Sequence, residues 1–502
     1  MKSPVKRIII VGGGTAGWMS AILMAHCWKN RDIQITLVES PNIGTIGVGE
    51  GSTPQLKAFF DFLGIQESEW MPKCYATYKN GITFSGWSTK PEFSSYFHSF
   101  ESELDFKTEP AFFYNCSVRR KGVNIQAHPD RFYLGAQLTR MNLGPKPNDN
   151  FPFEVSYGYH FDASLLGQFF RDKAEKLGVV HIEGKVESTH LDSDGYIKNI
   201  RLDDGTTLDA ELFVDCSGFS SLLMQQALKV PFVSFGKNLF NDAAVTLQTP
   251  FSEEYNPQTI STALSNGWVW RIPLINRTGN GYVYSSSHCS ADEAETELRR
   301  HLNLVDNNIS ARHLKMKVGR VEKHWYKNCL AVGLSQGFIE PLEATALHLV
   351  QETIQGFIDA CELGEFTNVN QDKFNQRINA RFEGVRDYIV THYILNSRQD
   401  TEYWQSNRNN TNISDSLKKL LSCWASGKDL TQEILDQGID KFYTSMSWHS
   451  IFAGYGFFPD RDKLAPGSAK AHRHNLADIE NFLDKCSINF AKSKDLLISL
   501  QR

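Results

Sequence analysis

The sequence contains no C-x-x-C pair and no cysteine–histidine spacing typical of a metal site. Its nine cysteines therefore read as reduced, mostly buried thiols of a cytoplasmic protein, not as a disulfide or zinc framework. It has no run of about 18 apolar residues free of glycine clusters and charge, so no membrane span is expected. A secretory signal is also not expected. Lys2, Lys6 and Arg7 precede an apolar run, but adjacent glycines interrupt it and no small-residue cleavage site follows. A large excess of either charge is lacking, with 52 Lys and Arg against 57 Asp and Glu, and the formal net charge of −5 gives no reason to expect a nucleic-acid partner. There is no internal repeat and no low-complexity tract. With 22% charged and 41% hydrophobic residues, disordered and fibrous classes drop out. What is plentiful is length and aromatic content. The 502 residues allow roughly two to four domains and a large core. Aromatics at 12%, ten of them tryptophan, could line a large cavity or fill that core.

The chain is organised around Arg7 to Ser40. Ile8 to Val11 is a β-branched run suited to a buried parallel strand. Gly12, Gly14 and Gly17 follow as G-x-G-x-x-G, then apolar residues at helical spacing (Met19, Ile22, Leu23), then a second apolar run, Ile33 to Val38. The glycines permit a tight turn, a close approach of backbone to a pyrophosphate, and packing of helix on strand. Gly12, Gly14, Thr15, Ala16 and Gly17 are the expected phosphate cradle. Glu39 ends the second strand, where a carboxylate binds a ribose hydroxyl.

Four glycines between Gly44 and Gly51 define a loop placed to strap a cofactor, with Gly47, Gly49 and Glu50 as its contacts. Thr53-Pro54 opens a helix stopped by Gly64. Residues 71–150 read as short β-like runs (Tyr78 to Trp87, Ser95 to Phe100, Arg131 to Leu134) that build a cover. A helix begins near Asp162 and ends at Gly178, a strand runs from Val179 to Gly184, and hairpin-like turns follow at Asp194-Gly195 and Asp204-Gly205. Leu212 to Val214 is a strand ending in Asp215-Cys216-Ser217-Gly218, small residues that let the chain pass close to a cofactor. Residues 225–320 return to aromatic-rich segments, with TGNGYVYSSS read as a glycine-rich hairpin. A strand at Cys329 to Val332, a loop to Pro341 and a helix from Glu343 to Ala360 follow. The expected division is a nucleotide-binding module over 1–365, carrying cover segments at about 71–150 and 225–320, and a helical region over 366–502 that completes the substrate pocket.

Four motifs give the chain a resemblance to the flavin-dependent tryptophan halogenases over nearly its whole length: GGGTAGW at Gly12 to Trp18, IGVGEGSTP at Ile46 to Pro54, GWVWRIP at Gly267 to Pro273, and FIEPLEATALHL at Phe338 to Leu349. The resemblance implies an α/β, glutathione-reductase-like FAD-binding fold with an inserted antiparallel sheet. It also implies a two-component enzyme whose FADH2 comes from a separate flavin reductase, since only one G-x-G-x-x-G sits in a strand-turn-helix setting. The sequence leaves the oligomeric state open, with a homodimer as one alternative. In such enzymes reduced FAD and O2 give a C4a-hydroperoxide, chloride or bromide attacks it, and the resulting hypohalous acid travels to a lysine.

YATYKNGITF places Lys79 in that role, where an amine can form a haloamine or hydrogen-bond the hypohalous acid. Glu343 matches the acid that takes the arenium proton or polarises the electrophile. Val186 and Leu334 are further implied FAD contacts. His98, Phe100 and Trp448 are implied walls of the aromatic substrate's pocket. Trp268 and Trp270, two apart on one strand face, match the pair that keeps flavin and substrate apart. The backbone N–H groups of Thr345 and Ala346 are the implied halide site. Two departures bear on specificity. EATA stands where tryptophan-active members commonly carry Glu-Ser-Thr-Gly, and the effect of Ala346 turns on whether φ there is positive. The segment about Leu430 to Ser447 lacks the clasp for free tryptophan's amine and carboxylate, so the expected substrate is an indole or phenol without the zwitterion, or a larger molecule presenting such a ring. Two rivals remain: a single-component FAD hydroxylase and a non-catalytic flavin-binding protein.

Overall fold

The computed structural model describes residues 5–42, 49–251 and 255–500. Gly47 therefore lies outside the described residues. Two compact units divide the chain in three alternating pieces each. One comprises Met1–Tyr75, Phe161–Gly236 and Met316–Glu383, and the other Ala76–His160, Lys237–Lys315 and Gly384–Arg502.

The first unit is built on a six-stranded sheet. Its order is Val180–Glu183, Gln34–Glu39, Arg7–Val11, Leu212–Asp215, Cys329–Ala331 and Trp325–Tyr326, and the first five strands run parallel. Ile8 to Val11 are buried at 4% exposure or less, as the continuous apolar run requires for a strand covered on both faces. Helix Thr15–Cys27 packs against helices Ala163–Lys176 and Ala346–Leu363. The Ala163–Lys176 helix starts where expected, because the Asp162 side chain accepts from the N–H groups of Ser164 and Leu165, satisfying two donors that the helix leaves open. A three-stranded meander, Val186–Leu191, Ile197–Leu202 and Thr207–Asp209, turns at the two Asp-Gly sites.

The second unit holds a seven-stranded sheet in the order Arg312–Lys315, Ala243–Pro250, Arg277–Tyr284, Gly267–Pro273, Gln258–Leu264, Gly81–Ser85 and Ser95–Ser99. Only the pairing of Gln258–Leu264 with Gly81–Ser85 is parallel. This sheet corrects one reading. TGNGYVYSSS is not a hairpin, because Arg277–Tyr284 runs straight through its glycines as one central strand. Gly281 stands opposite Trp270, and a Cβ there would lie 2.1 Å from the indole. The glycine makes room for a tryptophan and does not turn the chain.

A second correction concerns Arg131 to Leu134, which is not extended. Pro129–Arg131 is a 3-10 turn and Leu134–Arg140 a helix, because the Leu134 N–H is taken by Asp105 Oδ1 at 3.1 Å and not by a neighbouring strand. Helix Glu109–Arg120 also lies within the stretch read as β-like. The late helix begins at Ala346, not Glu343. Helices Glu402–Arg408, Asp415–Ala425, Leu430–Gln437, Ser445–Gly454 and Leu476–Ser487 follow, in keeping with the helical C-terminal reading. Among the described residues no helix is long and apolar enough to cross a membrane.

His449 in this region is 3% exposed, stacked on Phe113 with ring centroids 3.8 Å apart. Its Nδ1–H donates to the Ser445 carbonyl at 2.8 Å. Burial outweighs that bond and pulls its pKa down from 6.5 to about 3. The folded value lies below the unfolded one, so the neutral ring contributes stability that is complete above pH 6.5 and is lost as pH falls towards 3. Between about pH 5.5 and 4, unfolding free energy should therefore fall about 1.4 kcal/mol per pH unit more steeply than in His449→Gln. Urea midpoints at several pH values test this, and parallel pH slopes would refute it.

Candidate active site

In the first unit, three strand ends converge on the start of helix Thr15–Cys27. Gly12 has φ +113°, and a Cβ there would meet the Cys216 carbonyl at 2.2 Å. At Gly17 it would meet the Gly12 carbonyl at 1.9 Å. These two glycines are packing requirements. Gly14 differs: its backbone is extended, φ −71° and ψ 178°, and a Cβ would meet nothing within 4 Å. It faces open space at a helix start that no side chain caps and that has no acidic residue in its first turn. Thr15 hydrogen-bonds the Ala163 carbonyl at 3.2 Å. Ala16 lies under the third strand's loop, where a Cβ on Gly333, φ +70°, would come within 2.7 Å of the Ala16 Cβ. Leu334 is in that same turn, Gly333–Ser335.

Glu39 lies against the Gly13 backbone, and its Oε1 is 2.8 Å from His181 Nε2. Asp215 is committed to structure. It accepts from the Ser217 hydroxyl at 2.6 Å and from the N–H groups of Leu223 and Met224 at 2.9 and 2.8 Å. Glu50 sits in strand Gly49–Gly51, and burial, then the charge of Asp162, hold its carboxyl up at about 7. Val186 packs on the core formed by Ile9, Val11 and Ile200. An uncapped helix start behind an open-faced glycine, with a carboxylate ending the next strand, suits a dinucleotide such as FAD. Its pyrophosphate would lie at Gly14 and its ribose at Glu39.

The same unit carries Glu343, 4% exposed, in the turn before helix Ala346–Leu363. Ala344 has φ +56°, a left-handed conformation that costs an alanine roughly 1–2 kcal/mol. Ala346 is not among the residues with positive φ, so the alanine there leaves the helix start undistorted and the conformational question passes to Ala344. The helix has no side-chain cap, so its first N–H groups can meet an anion.

In the second unit, Lys79 ends the wholly buried strand Thr77–Lys79 and is 0% exposed. Asn80 fixes its position, donating from its backbone to the Pro257 carbonyl at 2.7 Å and from its side chain to the Leu143 carbonyl at 3.0 Å. The Phe100 N–H reaches the Asn80 carbonyl at 3.4 Å. This brings the Phe100 ring centroid within 5.5 Å of the Lys79 ammonium.

His160 lies one strand away, paired with Thr77. The Thr77 hydroxyl donates to the Pro273 carbonyl at 2.8 Å, so it accepts from His160 Nδ1–H at 3.1 Å, and the Thr259 hydroxyl then donates to Nε2 at 2.9 Å. Burial, and then the charge of Lys79, hold His160 well below its ordinary pKa, so it remains neutral beside the lysine. His98 Nε2 is 3.1 Å from the Ser447 hydroxyl and stacks on Tyr388. Tyr388 donates to the Ser447 carbonyl at 3.0 Å and meets Trp448 edge-on at 4.9 Å. His98, Tyr388 and Trp448 are thus one cluster. Trp268 and Trp270, 1% and 7% exposed, sit together with centroids 6.1 Å apart. The indole N–H groups of Trp270 and Trp448 are buried donors with no acceptor among the described residues.

The tryptophan halogenase family model matches residues 7–470. The chain belongs to the tryptophan halogenase family. As a family member it is 33% identical over 498 residues to tryptophan 7-halogenase RebH of Lentzea aerocolonigenes, covering 94% of this chain and 93% of the relative. It is 35% identical over 442 residues to tryptophan 6-halogenase SttH of Streptomyces toxytricini, covering 83% of each. The solved structure of BrvH, a flavin-dependent halogenase from Brevundimonas sp. BAL3, superposes with a TM-score of 0.83 at 31% identity and covers 100% of both chains.

In this family member the sequence motifs single out His98, Phe100 and Trp448 but not Tyr388 or His160. Neither sits in a local motif. Strand pairing brings His160 to Thr77, and the helix Gln371–Leu395 carries Tyr388. The one available signal was the i, i+4 spacing of Tyr388 and His392, which places two aromatic rings on one helix face. The structure groups the site residues by unit: the glycine cradle, Glu39, Glu50, Glu343, Thr345 and Ala346 in the first; Lys79, His98, Phe100, Trp268, Trp270 and Trp448 in the second.

Proposed function

We propose that the protein halogenates an electron-rich aromatic such as an indole lacking the amino-acid zwitterion, using FADH2, O2 and chloride or bromide, with FADH2 supplied by a separate reductase. The observation that carries this reading is Lys79, a lysine at 0% exposure on a wholly buried strand beside Phe100. Lysine is rarely fully buried, and an amine at this place can hydrogen-bond hypohalous acid or form a haloamine with it. Bound reduced FAD supplies the electrons and the oxygen activation that turn halide into an electrophile.

The remaining steps belong to this chain. The Gly14 helix start binds the pyrophosphate and Glu39 the ribose. The N–H groups at Thr345 and Ala346 hold the halide. Trp268 and Trp270 have the role of the family's tryptophan pair, which keeps the arene from reacting with the flavin directly. Lys79 holds the hypohalous acid or carries the halogen as a haloamine. Phe100, His98 and Trp448 orient the ring, and Glu343 accepts the proton released when the arenium regains aromaticity.

The purified protein with FAD, a flavin reductase, NADH, O2 and either halide should convert an indole to a product heavier by one halogen minus one hydrogen, read by mass spectrometry. Free tryptophan should be the poorer substrate. NADPH oxidation by the protein alone, with an oxygenated product, would establish the hydroxylase instead.

A further inference from the structure

The second unit contains an acidic cluster that the proposed chemistry does not use. Glu101 directly follows Phe100, and Glu109 opens helix Glu109–Arg120. Tyr133 precedes helix Leu134–Arg140. Asp105 holds the arrangement together. One of its oxygens accepts from the Ser102 N–H at 2.9 Å and the other from the Leu134 N–H at 3.1 Å, so both are committed to backbone. Phe112, one turn beyond Glu109 on the same helix face, meets the Tyr133 ring edge-on at 5.3 Å. A Cβ on Gly135 would lie 2.2 Å from the Ser99 hydroxyl. The segment after Tyr133 therefore lies against the strand end that carries Phe100 and Glu101.

The Tyr133 residue is 1% exposed, yet its hydroxyl has no hydrogen-bond partner among the described residues, and neither has Glu101 Oε2. A buried polar atom left so is costly. The surroundings are one-signed. Burial and then Glu101 and Asp105 hold the Glu109 carboxyl up at about 7. Beyond its own burial, Tyr133 is acted on by Glu109, Asp105, Cys116 and Glu101. Among the described residues no group of three His, Cys, Asp or Glu is placed to hold a metal ion. A primary ammonium has three donors, one each for Glu101 Oε2, the Glu109 carboxylate and the Tyr133 hydroxyl.

We propose that Glu101, Glu109 and the Tyr133 hydroxyl form a subsite for the ammonium of an arylalkylamine substrate whose ring rests on Phe100. This rests on the halogenase reading and names its substrate class. Among the described residues the groups acting on Glu109 and Tyr133 are carboxyls and the Cys116 thiol, with no cation, so an amine without a carboxylate is preferred over the amino acid.

The test titrates tryptamine and its neutral isostere tryptophol against the protein by calorimetry, without turnover, in wild type, Glu101→Gln and Tyr133→Phe. Wild type should bind tryptamine at least tenfold more tightly than tryptophol, and both variants should lower that ratio at least tenfold or to unity. Glu101→Asp should restore part of it. A wild-type ratio near one, or a preference that survives both variants, overturns the subsite. Halogenation of tryptophol, assayed separately, then reports whether the halogenase reading stands.

Discussion

Replacing Lys79 with alanine should abolish halogenated product while leaving FAD bound. An amine that donates a proton to the hypohalous oxygen in the transition state acts as a general acid, a role that contributes on the order of 10²–10⁴-fold to the rate, so product formation should fall by about that much. Alanine would also leave a cavity in a fully buried position, costing a few kcal/mol. Lys79→Met is the companion variant, because it keeps the volume of the stem and removes only the amine. Both variants should show the same loss of product and an unchanged FAD titration, with Lys79→Met the closer to wild type in thermal stability. Product formation above about a tenth of wild type in Lys79→Met would remove the lysine from the chemistry.

The second large effect is expected at Gly14. Val at this position has an extended backbone to adopt, which suits a β-branched residue, and its Cβ meets no atom within 4 Å. The apo fold should therefore tolerate Gly14→Val with little change in melting temperature. FAD binding should weaken at least about 100-fold, or roughly 2.8 kcal/mol, because the side chain occupies the space reserved for the pyrophosphate. Gly12→Ala is the contrasting case. With φ +113° and a Cβ 2.2 Å from a backbone carbonyl, it should damage the fold itself. Retained FAD affinity in Gly14→Val would place the pyrophosphate elsewhere.

The difference between these glycines shows how far sequence reading reaches. The G-x-G-x-x-G spacing marks all three alike, and only the tertiary structure separates Gly12 and Gly17, which answer to backbone packing, from Gly14, where a Cβ would meet nothing within 4 Å. The same limit explains the misread hairpin. Glycine's local preference points to a turn, but Gly281 is a glycine because Trp270 crosses it from the neighbouring strand. Arg131 to Leu134 was misread for a related reason: its apolar and aromatic residues suit a strand, and a long-range bond from Leu134 to Asp105 makes it a helix start.

What the sequence determined by itself was everything set by neighbours close in the chain: the strand-turn-helix of Arg7 to Cys27, the Asp162 cap, and the candidate lysine and carboxylate carried by contiguous motifs. Tertiary structure alone decided which distant strands flank the glycine turn, that burial keeps His160 neutral beside Lys79, that Tyr388 joins His98 to Trp448, and that the Tyr133 hydroxyl is buried with no hydrogen-bond partner among the described residues. These are contacts between residues tens to hundreds of positions apart. Their energies come from burial and pairing across elements, for which local periodicity carries no signal.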